Sequence, residues 1–440
     1  MLPDARPPSN AISSWKEIAA HFRVTVRTVQ LWEEQRGLPV RRMPGVKGRV
    51  YAIQEELDAW EKSTFGIGQA AQAGAPEQPP ARNWKWWIVA GCAAAGLLLV
   101  GAAASGLRSA SNVAPSTWSL KGRTLVIRDA KGMVAWTHEF PEAPDPTWER
   151  TASDGRFPLT EPRIGDFDGD GKREVLFSYT IDRRAGIESE LYCFESDGRI
   201  RWKYTPGRTV ATRKESFPPP YVVRLVLPVP PQPGKPPLLI VVGTHTMYYP
   251  SQVAAIDPQG KVVREYWHSG HLSDGGFADL DYSGKLLLYL TGAHNATKST
   301  AIVALDPMDF GGASRESNPD YQLLGMGEPR EAGRVVMPAS ELTRRTSGVT
   351  SPAGIRFLQG KLTVSISQGR LGEADEGSPC VLYEFGPGLR LTGIEYCWTF
   401  KSFFDECIRT GKARPYDMDA DLERMKQVDM TTPWRGSAGN

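Results

Sequence analysis

The stretch of this sequence with the clearest chemical role is DFDGDGKRE, residues 166–174. Its aspartates stand at alternate positions, a glycine follows the third, and a glutamate ends the stretch. Carboxylate oxygens with that spacing can converge on one Ca²⁺, together with a backbone carbonyl, because the glycine permits a sharp turn. Phe177 stands where an EF-hand loop has its bidentate glutamate, which excludes that motif. The predicted ligands of one calcium ion are Asp166, Asp168, Asp170, the carbonyl of Lys172, and Glu174.

Three other polar stretches are less suited to a cation. DLDYSGKLL keeps Asp279 and Asp281 but has serine and leucine at later ligand positions, so we predict a structural turn there. DMDAD, from Asp417, lacks the glycine and precedes a helical pattern, which indicates a helix N-terminus. His268 and His271 could bind a metal, although two histidines without a third ligand are more often core or surface residues.

Sequence signatures of catalysis are missing. The chain contains no G-x-S-x-G, Walker A, dinucleotide-binding G-x-G-x-x-G or H-E-x-x-H motif. The net charge of +2 also excludes a strong overall attraction to nucleic acid, so any DNA affinity must come from a local basic patch. We therefore predict a protein that is not an enzyme.

The elements that position the 166–174 loop are predicted to be short strands. Four stretches share an apolar strand, a turn with Asp or Gly, and the start of a second strand: residues 125–137, 191–205, 253–267 and 302–312. Repeats of this kind are typical of a propeller, in which each sheet packs on its neighbours. Residues 117–440 are therefore predicted to form an all-β propeller of six or seven blades, at about 40–50 residues per blade. A pair of irregular β-sandwiches is the alternative.

The acidic loop and the strand EVLFSY that follows it resemble the FG-GAP/VCBS repeats of integrin-like propellers. The resemblance implies a propeller whose loops bind calcium. This chain departs from those repeats at Glu174, where they usually have aspartate.

The amino-terminal stretch, residues 12–62, has apolar residues at helical and strand spacing. In SSWKEIAAHF, Ser14 and Glu17 have the spacing of a capping box at a helix start. Thr25 is placed to begin a second helix, and PVRRM and RVYA predict two short strands around a turn. A third helix follows, so the predicted domain is small and α+β.

The pattern W-K-E-I-A…V-x-x-R-T-V-x-x-W-E…G-L-P-V-x-R…G-R-V-Y-A…E-L-D-A-W resembles the short winged helix-turn-helix of the MerR/excisionase type. The resemblance implies binding to double-stranded DNA through the second helix and the wing. Glu33 and Glu34 depart from it by placing negative charge late in that helix, and the coiled-coil dimerisation helix of full MerR regulators is missing. A protein-binding winged helix is the alternative. The implied DNA contacts are Thr25, Arg27, Gln30, Arg41, Arg42, Lys47 and Arg49.

Residues 86–107 have no charged side chain and are long enough for a single transmembrane helix. Residues 63–83, before them, have the composition of a flexible linker. A buried helix in a soluble core is the alternative. Small residues four apart inside the apolar stretch, such as Gly91 and Ala95, would let two spans approach closely and form a homodimer.

Four of the five cysteines follow the apolar stretch: Cys193, Cys380, Cys397 and Cys407. They allow two disulfides in an oxidising compartment, with Cys397–Cys407 as the favoured pair. Buried free thiols, which behave as small hydrophobic side chains, are the alternative.

These features together predict a multidomain, membrane-anchored, one-component transcription regulator. Its winged helix-turn-helix would lie in the bacterial cytoplasm, a single span would cross the inner membrane, and the propeller would sense an unknown ligand or protein outside. The alternative is a surface adhesion or scaffold propeller whose winged helix is vestigial or protein-binding. A third possibility, a propeller enzyme of the quinoprotein kind, lacks an identifiable site.

Overall fold

The computed structural model of the chain describes residues 11–12, 14–21, 29, 33, 38–42, 50–65, 114–144, 162–183, 186–246, 250–346, 350–368 and 379–435. The chain divides into two compact units, Met1–Ala103 and Ala104–Asn440, here called unit 1 and unit 2. Antiparallel strands dominate the described residues. The five helices among them are short, with at most 12 residues.

The elements of unit 1 are β1 (Ala11–Ile12), α1 (Trp15–His21), β2 (Arg41–Arg42), β3 (Val50–Ile53) and α2 (Gln54–Phe65). Its strands form an antiparallel sheet in the order β1-β3-β2. The amide of Glu17 donates to Oγ of Ser14 (3.2 Å), so the predicted cap of the first helix is confirmed. Both helices contact β3. The core of the unit consists of Ile18, Val29, Leu38, Val50, Ala52 and Leu57.

The identification of unit 1 as a MerR/excisionase-type winged helix-turn-helix is wrong. Such a domain needs two consecutive helices joined by a tight turn, and no such pair is evident among the described residues. The sequence pattern indicated an amphipathic first helix, but local periodicity does not determine how that helix connects to the next. Most of the predicted second helix lies outside the described residues.

The prediction of a single transmembrane helix is also not supported. In the described part of the chain, no helix combines the length and the apolar character that a membrane span requires. The predicted span, residues 86–107, lies outside the described residues, and so does the predicted linker beyond Phe65. Helix α2 extends through Phe65, so the first three linker residues are helical.

The described residues of unit 2 form five sheets of three to five strands. The first sheet consists of β4 (Thr117–Lys121), β5 (Thr124–Arg128) and β6 (Val134–Glu139). The second consists of β7 (Arg163–Gly165), β8 (Glu174–Arg183), β9 (Gly186–Phe194) and β10 (Ile200–Tyr204). The third consists of β13 (Tyr221–Pro228), β14 (Leu239–His245), β15 (Ser251–Ile256), β16 (Val262–His268) and β20 (Gly312–Ala313).

The fourth sheet consists of β17 (Leu272–Ala278), β18 (Leu287–His294), β19 (Ser299–Leu305), β21 (Gly333–Met337) and β26 (Asp429–Thr432). The fifth consists of β22 (Ser351–Leu358), β23 (Lys361–Ser367), β24 (Cys380–Phe385) and β25 (Leu391–Tyr396). Outside them lie a two-stranded ribbon and three helices: β11 (Val210–Ala211), β12 (Ser216–Phe217), α3 (Glu341–Thr346), α4 (Trp398–Arg409) and α5 (Met418–Met425).

Consecutive sheets of unit 2 pack face to face through apolar side chains. On β8 of the second sheet, Phe177 lies in a cluster with the first sheet, whereas Leu176 lies in a cluster with the third. The fourth sheet does the same, since Leu288 faces the third sheet and Tyr289 the fifth. Neighbouring residues of a strand point to opposite faces, so a strand covered on both sides must be apolar throughout. This explains the continuous apolar runs of the sequence.

The all-β class predicted for this part of the chain agrees with the structure, but a closed propeller of six or seven blades is not seen. Closure requires the last sheet to pack against the first, and no core cluster joins the fifth and first sheets among the described residues. Strand β26, near the end of the chain, pairs instead with β21 in the fourth sheet. The sequence repeats predicted individual hairpins, and they carry no information about closure.

Three of the four sequence repeats form hairpins, namely β5–β6, β9–β10 and β15–β16. In two of them a tryptophan contacts the turn of the next hairpin. Nε1 of Trp136 donates to the carbonyl of Ser196 (3.0 Å), and Nε1 of Trp202 donates to that of Pro258 (3.1 Å). These contacts link the first sheet to the second and the second to the third. The fourth repeat does not form a hairpin. Its first strand, β19, belongs to the fourth sheet, whereas the next strand, β20, pairs with β16 in the third sheet.

The disulfide of unit 2 joins Cys380 to Cys397, so the favoured pairing of Cys397 with Cys407 is wrong. Val381 and Tyr396 are register partners on β24 and β25, which places the two cysteines opposite each other with their Cα atoms 5.3 Å apart. Cys407 lies on α4 and is a buried free thiol, as is Cys193.

Candidate metal centre

The acidic loop 166–173 connects two paired strands of the second sheet. Gly165 at the end of β7 is the register partner of Glu174 at the start of β8, so the loop closes a hairpin. Gly171 has φ of 85°, a conformation that glycine adopts without strain. The loop therefore leaves the sheet and returns to it within one turn, as the spacing of its aspartates predicted.

Backbone amides of the loop fold around the first two aspartates. The amides of Gly169 and Gly171 donate to Oδ1 and Oδ2 of Asp166, at 2.7 and 3.0 Å. The amide of Asp170 donates to Oδ1 of Asp168 at 3.0 Å. These bonds hold both carboxylates against the backbone of the turn, where Asp166 is exposed and Asp168 is half-buried.

Three carboxylates converge at the base of this loop. Asp166, Asp168 and Glu174 each offer an oxygen atom, and the three oxygens lie within 4.8 Å of one another. Ca²⁺ binds oxygen at about 2.3–2.6 Å, so two ligands of one ion are at most about 5 Å apart. The observed separation therefore fits three ligands of a single calcium ion. Without a cation, carboxylates this close repel one another.

Glu174 is the residue whose environment is hardest to explain without a cation. Its side chain is buried, and Oε2 accepts a hydrogen bond from the amide of Phe167 (2.9 Å). Oε1 is buried and has no hydrogen-bond partner. Burial raises the pKa of Glu174, and the charges of Asp168 and Asp170 add to that effect despite the bond from Phe167. A buried polar oxygen without a partner is costly, and coordination to a cation would remove that cost.

The other two predicted ligands do not join this group of three. Asp170 accepts a hydrogen bond from the amide of Lys172 (2.7 Å) and lies 3.9 Å from its Nζ. Both residues are exposed. The converging set found in the structure is therefore smaller than the predicted one.

Arg201 contacts the loop, and sequence reasoning missed it. On β10, its Nη1 lies 2.5 Å from Oδ2 of Asp168, and its Nε and Nη2 donate to the two carboxylate oxygens of Glu195, at 2.7 and 3.1 Å. Partial burial opposes ionisation of Asp168, but the bonds from Arg201 and the Asp170 amide prevail and lower its pKa. Arg201 follows Asp168 by 33 residues, so no local motif contains both.

A small cavity of about 20 Å³ lies beside the loop, between the second and third sheets. Asp168, Glu174 and Arg201 line it from the second sheet, and Asp257 from the third. Cys193 also lines it, and burial raises the pKa of this thiol to about 12, so the sulfur is neutral. A space of this size holds about one water molecule.

The second acidic stretch is a turn, as predicted. Gly284 and Ser283 donate their amides to the carboxylate of Asp279, at 2.7 and 3.0 Å, and the Ser283 hydroxyl donates to Asp281. The hydrogen bonds resemble those of the 166–174 loop, but no buried glutamate joins them. Asp417 caps α5 by accepting from two amides, which confirms the predicted helix N-terminus.

The two histidines do not form a metal site with a third ligand. His268 is fully buried, and burial lowers its pKa to about 3. Its Nε2 lies 3.2 Å from the carbonyl of Ala293. Among the described residues, the only group of three potential ligands is the one in the 166–174 loop.

Two of the predicted DNA contacts are described. Arg41 and Arg42 are exposed on β2, but Arg41 pairs with Glu56 (2.8 Å) and Arg42 with Glu33 (2.9 Å). Their charges are therefore partly neutralised within unit 1. The other predicted contacts lie outside the described residues: Thr25, Arg27, Gln30, Lys47 and Arg49.

No family model matches the sequence, and no curated protein is significantly similar to it. The function of the chain must therefore be inferred from its own residues and their geometry.

Proposed function

We propose that unit 2 is a calcium-stabilised binding domain without enzymatic activity, and that Asp166, Asp168 and Glu174 hold one Ca²⁺. The buried, unpartnered Oε1 of Glu174 beside two converging aspartates carries this proposal. A bound cation would neutralise the repulsion among the three carboxylates and fix the hairpin between β7 and β8. Its role would be structural, because it would hold the hairpin in place, and the adjoining cavity has room for about one water molecule.

The ligand set favours calcium over magnesium. Ca²⁺ accepts six to eight oxygen ligands in flexible geometry, whereas Mg²⁺ demands a near-ideal octahedron and retains several waters. The loop offers carboxylates that are held by backbone amides and by Arg201, which is an irregular arrangement. Irregular oxygen ligands suit the less demanding ion.

The disulfide supports a location outside the cytoplasm for unit 2. Disulfides persist in oxidising compartments and are rare where glutathione and thioredoxin keep thiols reduced. Calcium sites of extracellular modules have dissociation constants of about 10⁻⁴–10⁻³ M, which suits the calcium concentration outside cells. The partner of the domain is then an extracytoplasmic ligand or protein, as in an adhesion or scaffold protein.

Transcription regulation through unit 1 stays a prediction. The exposed Arg41 and Arg42 favour it, and their ion pairs with Glu56 and Glu33 weaken it, since DNA phosphates would have to displace carboxylates. If these arginines contact phosphates, replacing both with alanine should flatten the salt dependence of duplex DNA binding by the full chain. An unchanged salt slope would exclude them as phosphate contacts.

Thermal unfolding of the full chain in chelator and in millimolar Ca²⁺ tests the calcium proposal. A ligand that binds only the folded state stabilises it by RT ln(1 + [L]/Kd), which is about 0.4–1.4 kcal/mol at 1 mM Ca²⁺ for a dissociation constant of about 10⁻⁴–10⁻³ M. The wild-type protein should therefore melt at a higher temperature with Ca²⁺, and Asp166→Asn should abolish most of the difference. Asp166 is preferable to Asp168 here because it has no ion pair among the described contacts.

Asp279→Asn is the matched control, because Asp279 accepts the same kind of amide bonds in a loop without a glutamate. It should leave the calcium-dependent difference in melting temperature unchanged. A wild-type protein that melts identically in chelator and in Ca²⁺ would refute the proposal.

A further inference from the structure

Arg201 occupies a position where a positive charge is unexpected beside a calcium site. Its Nη1 lies 2.5 Å from Oδ2 of Asp168, which is one of the three converging carboxylates. Asp168 accepts a hydrogen bond at Oδ1 from Asp170, so both of its oxygens already have donors. Its side chain is only 14 % exposed, and that of Arg201 only 20 %. Water therefore screens this pair less than an ion pair at the surface.

We propose that Arg201 competes with the cation for Asp168 and thereby sets the calcium affinity of the loop. This inference rests on the proposed function and identifies the residue that determines its affinity. Arg201 supplies a built-in positive charge that keeps the loop folded when no cation is bound. A cation that recruits Asp168 must share the carboxylate with the guanidinium or displace it.

Glu195 makes displacement of the guanidinium feasible. It binds Arg201 through both of its oxygens, at 2.7 and 3.1 Å, in the bidentate arrangement that gives strong pairs. Arg201 can therefore lose its hydrogen bond to Asp168 and still keep its ion pair with Glu195. Glu195 stabilises the cation-bound form because it retains the arginine, while Asp168 stabilises the cation-free form.

The charges determine the direction of each substitution. Arg201→Met removes the competing cation and should lower the dissociation constant for Ca²⁺ by about tenfold, as expected when a unit charge near a divalent ion is removed at a partly buried site. Arg201→Lys keeps the charge and should stay close to the wild-type affinity. Glu195→Gln removes the ion pair that competes with Asp168 for Arg201, and it also removes a negative charge near the calcium site. Both changes should raise the dissociation constant for Ca²⁺.

Arg199→Met is the matched control. Arg199 lies two residues before Arg201, pairs with Asp197 and does not contact the loop. Arg199→Met removes the same charge from a residue that follows Asp168 at nearly the same sequence separation. If the effect of Arg201 depends on its contact with Asp168, Arg199→Met should change the calcium affinity by less than about twofold.

The experiment is titration of Ca²⁺ into the metal-free full chain by calorimetry, with melting temperatures in chelator as a second readout. Arg201→Met should bind Ca²⁺ more tightly and melt at a lower temperature in chelator. If the wild-type protein binds Ca²⁺ and Arg201→Met binds it equally or less tightly, the proposed role of Arg201 is overturned, whereas the proposed calcium site is not. If neither protein binds Ca²⁺, the proposed function itself fails. Should Arg201→Met not fold, the other two variants still decide the question. Arg201→Lys should bind Ca²⁺ about as tightly as the wild-type protein and Glu195→Gln more weakly, so equal affinities in these two variants would overturn the proposal.

Discussion

Replacing Gly260 with alanine should destabilise the protein more than the same change at Gly132, although the two glycines have the same conformation. Their φ angles are 82° and 80°, and each donates its amide to the carbonyl of an aspartate three residues earlier, at 2.9 and 3.0 Å. They differ in what lies beside them. A Cβ at Gly260 would lie 2.5 Å from Cγ of Trp202, whereas no atom lies within 4 Å of a Cβ at Gly132.

The magnitudes follow from that difference. Gly132→Ala carries only the cost of a left-handed backbone conformation, about 1–2 kcal/mol. Gly260→Ala adds the cost of forcing a methyl group into a packed contact, about 1–3 kcal/mol. It also moves the indole whose Nε1 donates to Pro258 (3.1 Å). We expect Gly260→Ala to lower the free energy of unfolding by about 2–5 kcal/mol in total. Most of its excess over Gly132→Ala should come from the disturbed contact between the second and third sheets.

Guanidinium unfolding of the full chain, followed by near-UV circular dichroism, measures both variants against the wild-type protein. In a Trp202→Gly background the Cβ, Cγ and Cδ2 atoms that a Cβ at Gly260 would meet are all absent, so Gly260→Ala should then cost no more than Gly132→Ala. Equal destabilisation by the two alanine variants in the wild-type background would refute the inference that Trp202 joins neighbouring sheets through this turn.

Two further predictions concern buried groups. Burial lowers the pKa of His268 to about 3, with Glu316 opposing and Arg334 and His294 adding to this effect. Below about pH 6.5, His268 is therefore protonated in the unfolded chain but stays neutral in the folded protein. The free energy of unfolding should consequently fall by up to about 1.4 kcal/mol per pH unit as the pH decreases towards 3. His268→Gln should flatten this slope in urea unfolding at several pH values, and an unaltered slope would contradict the assignment. Reduction of the Cys380–Cys397 disulfide, which spans 17 residues, should cost about 3 kcal/mol and lower the melting temperature; an unchanged melting temperature in reductant would show that the purified protein lacks this bond.

Features that depend on a few neighbouring residues could be predicted from the sequence. The turn of the 166–174 loop, the cap at Asp417 and the three Trp- or Tyr-bearing hairpins all form through hydrogen bonds between residues close in the chain. The donors and acceptors of such bonds are visible in the spacing of aspartate, glycine and apolar residues. The same reasoning correctly predicted the turn at Asp279.

Features that depend on distant residues were missed or predicted wrongly. The partner of Cys397 is set by the register of β24 against β25, and the contact of Arg201 with Asp168 by the pairing of strands across the second sheet. Closure of a propeller depends on which sheet the last strand joins, and β26 joins the fourth. The pattern in residues 12–62 indicated helices and strands but not their connection, so the helix-turn-helix identification failed for the same reason.

Calorimetric titration of Ca²⁺ into the metal-free wild-type chain and into its Glu174→Gln variant is the decisive test of the calcium site proposed at Asp166, Asp168 and Glu174. Glutamine keeps the shape of the side chain and can still accept the bond from Phe167, but it removes the charge and the carboxylate ligand. We expect one ion bound per wild-type chain, with a dissociation constant of about 10⁻⁴–10⁻³ M, and at least tenfold weaker binding by Glu174→Gln. Wild-type affinity in Glu174→Gln, or the absence of binding by the wild-type protein, would contradict the proposed calcium site.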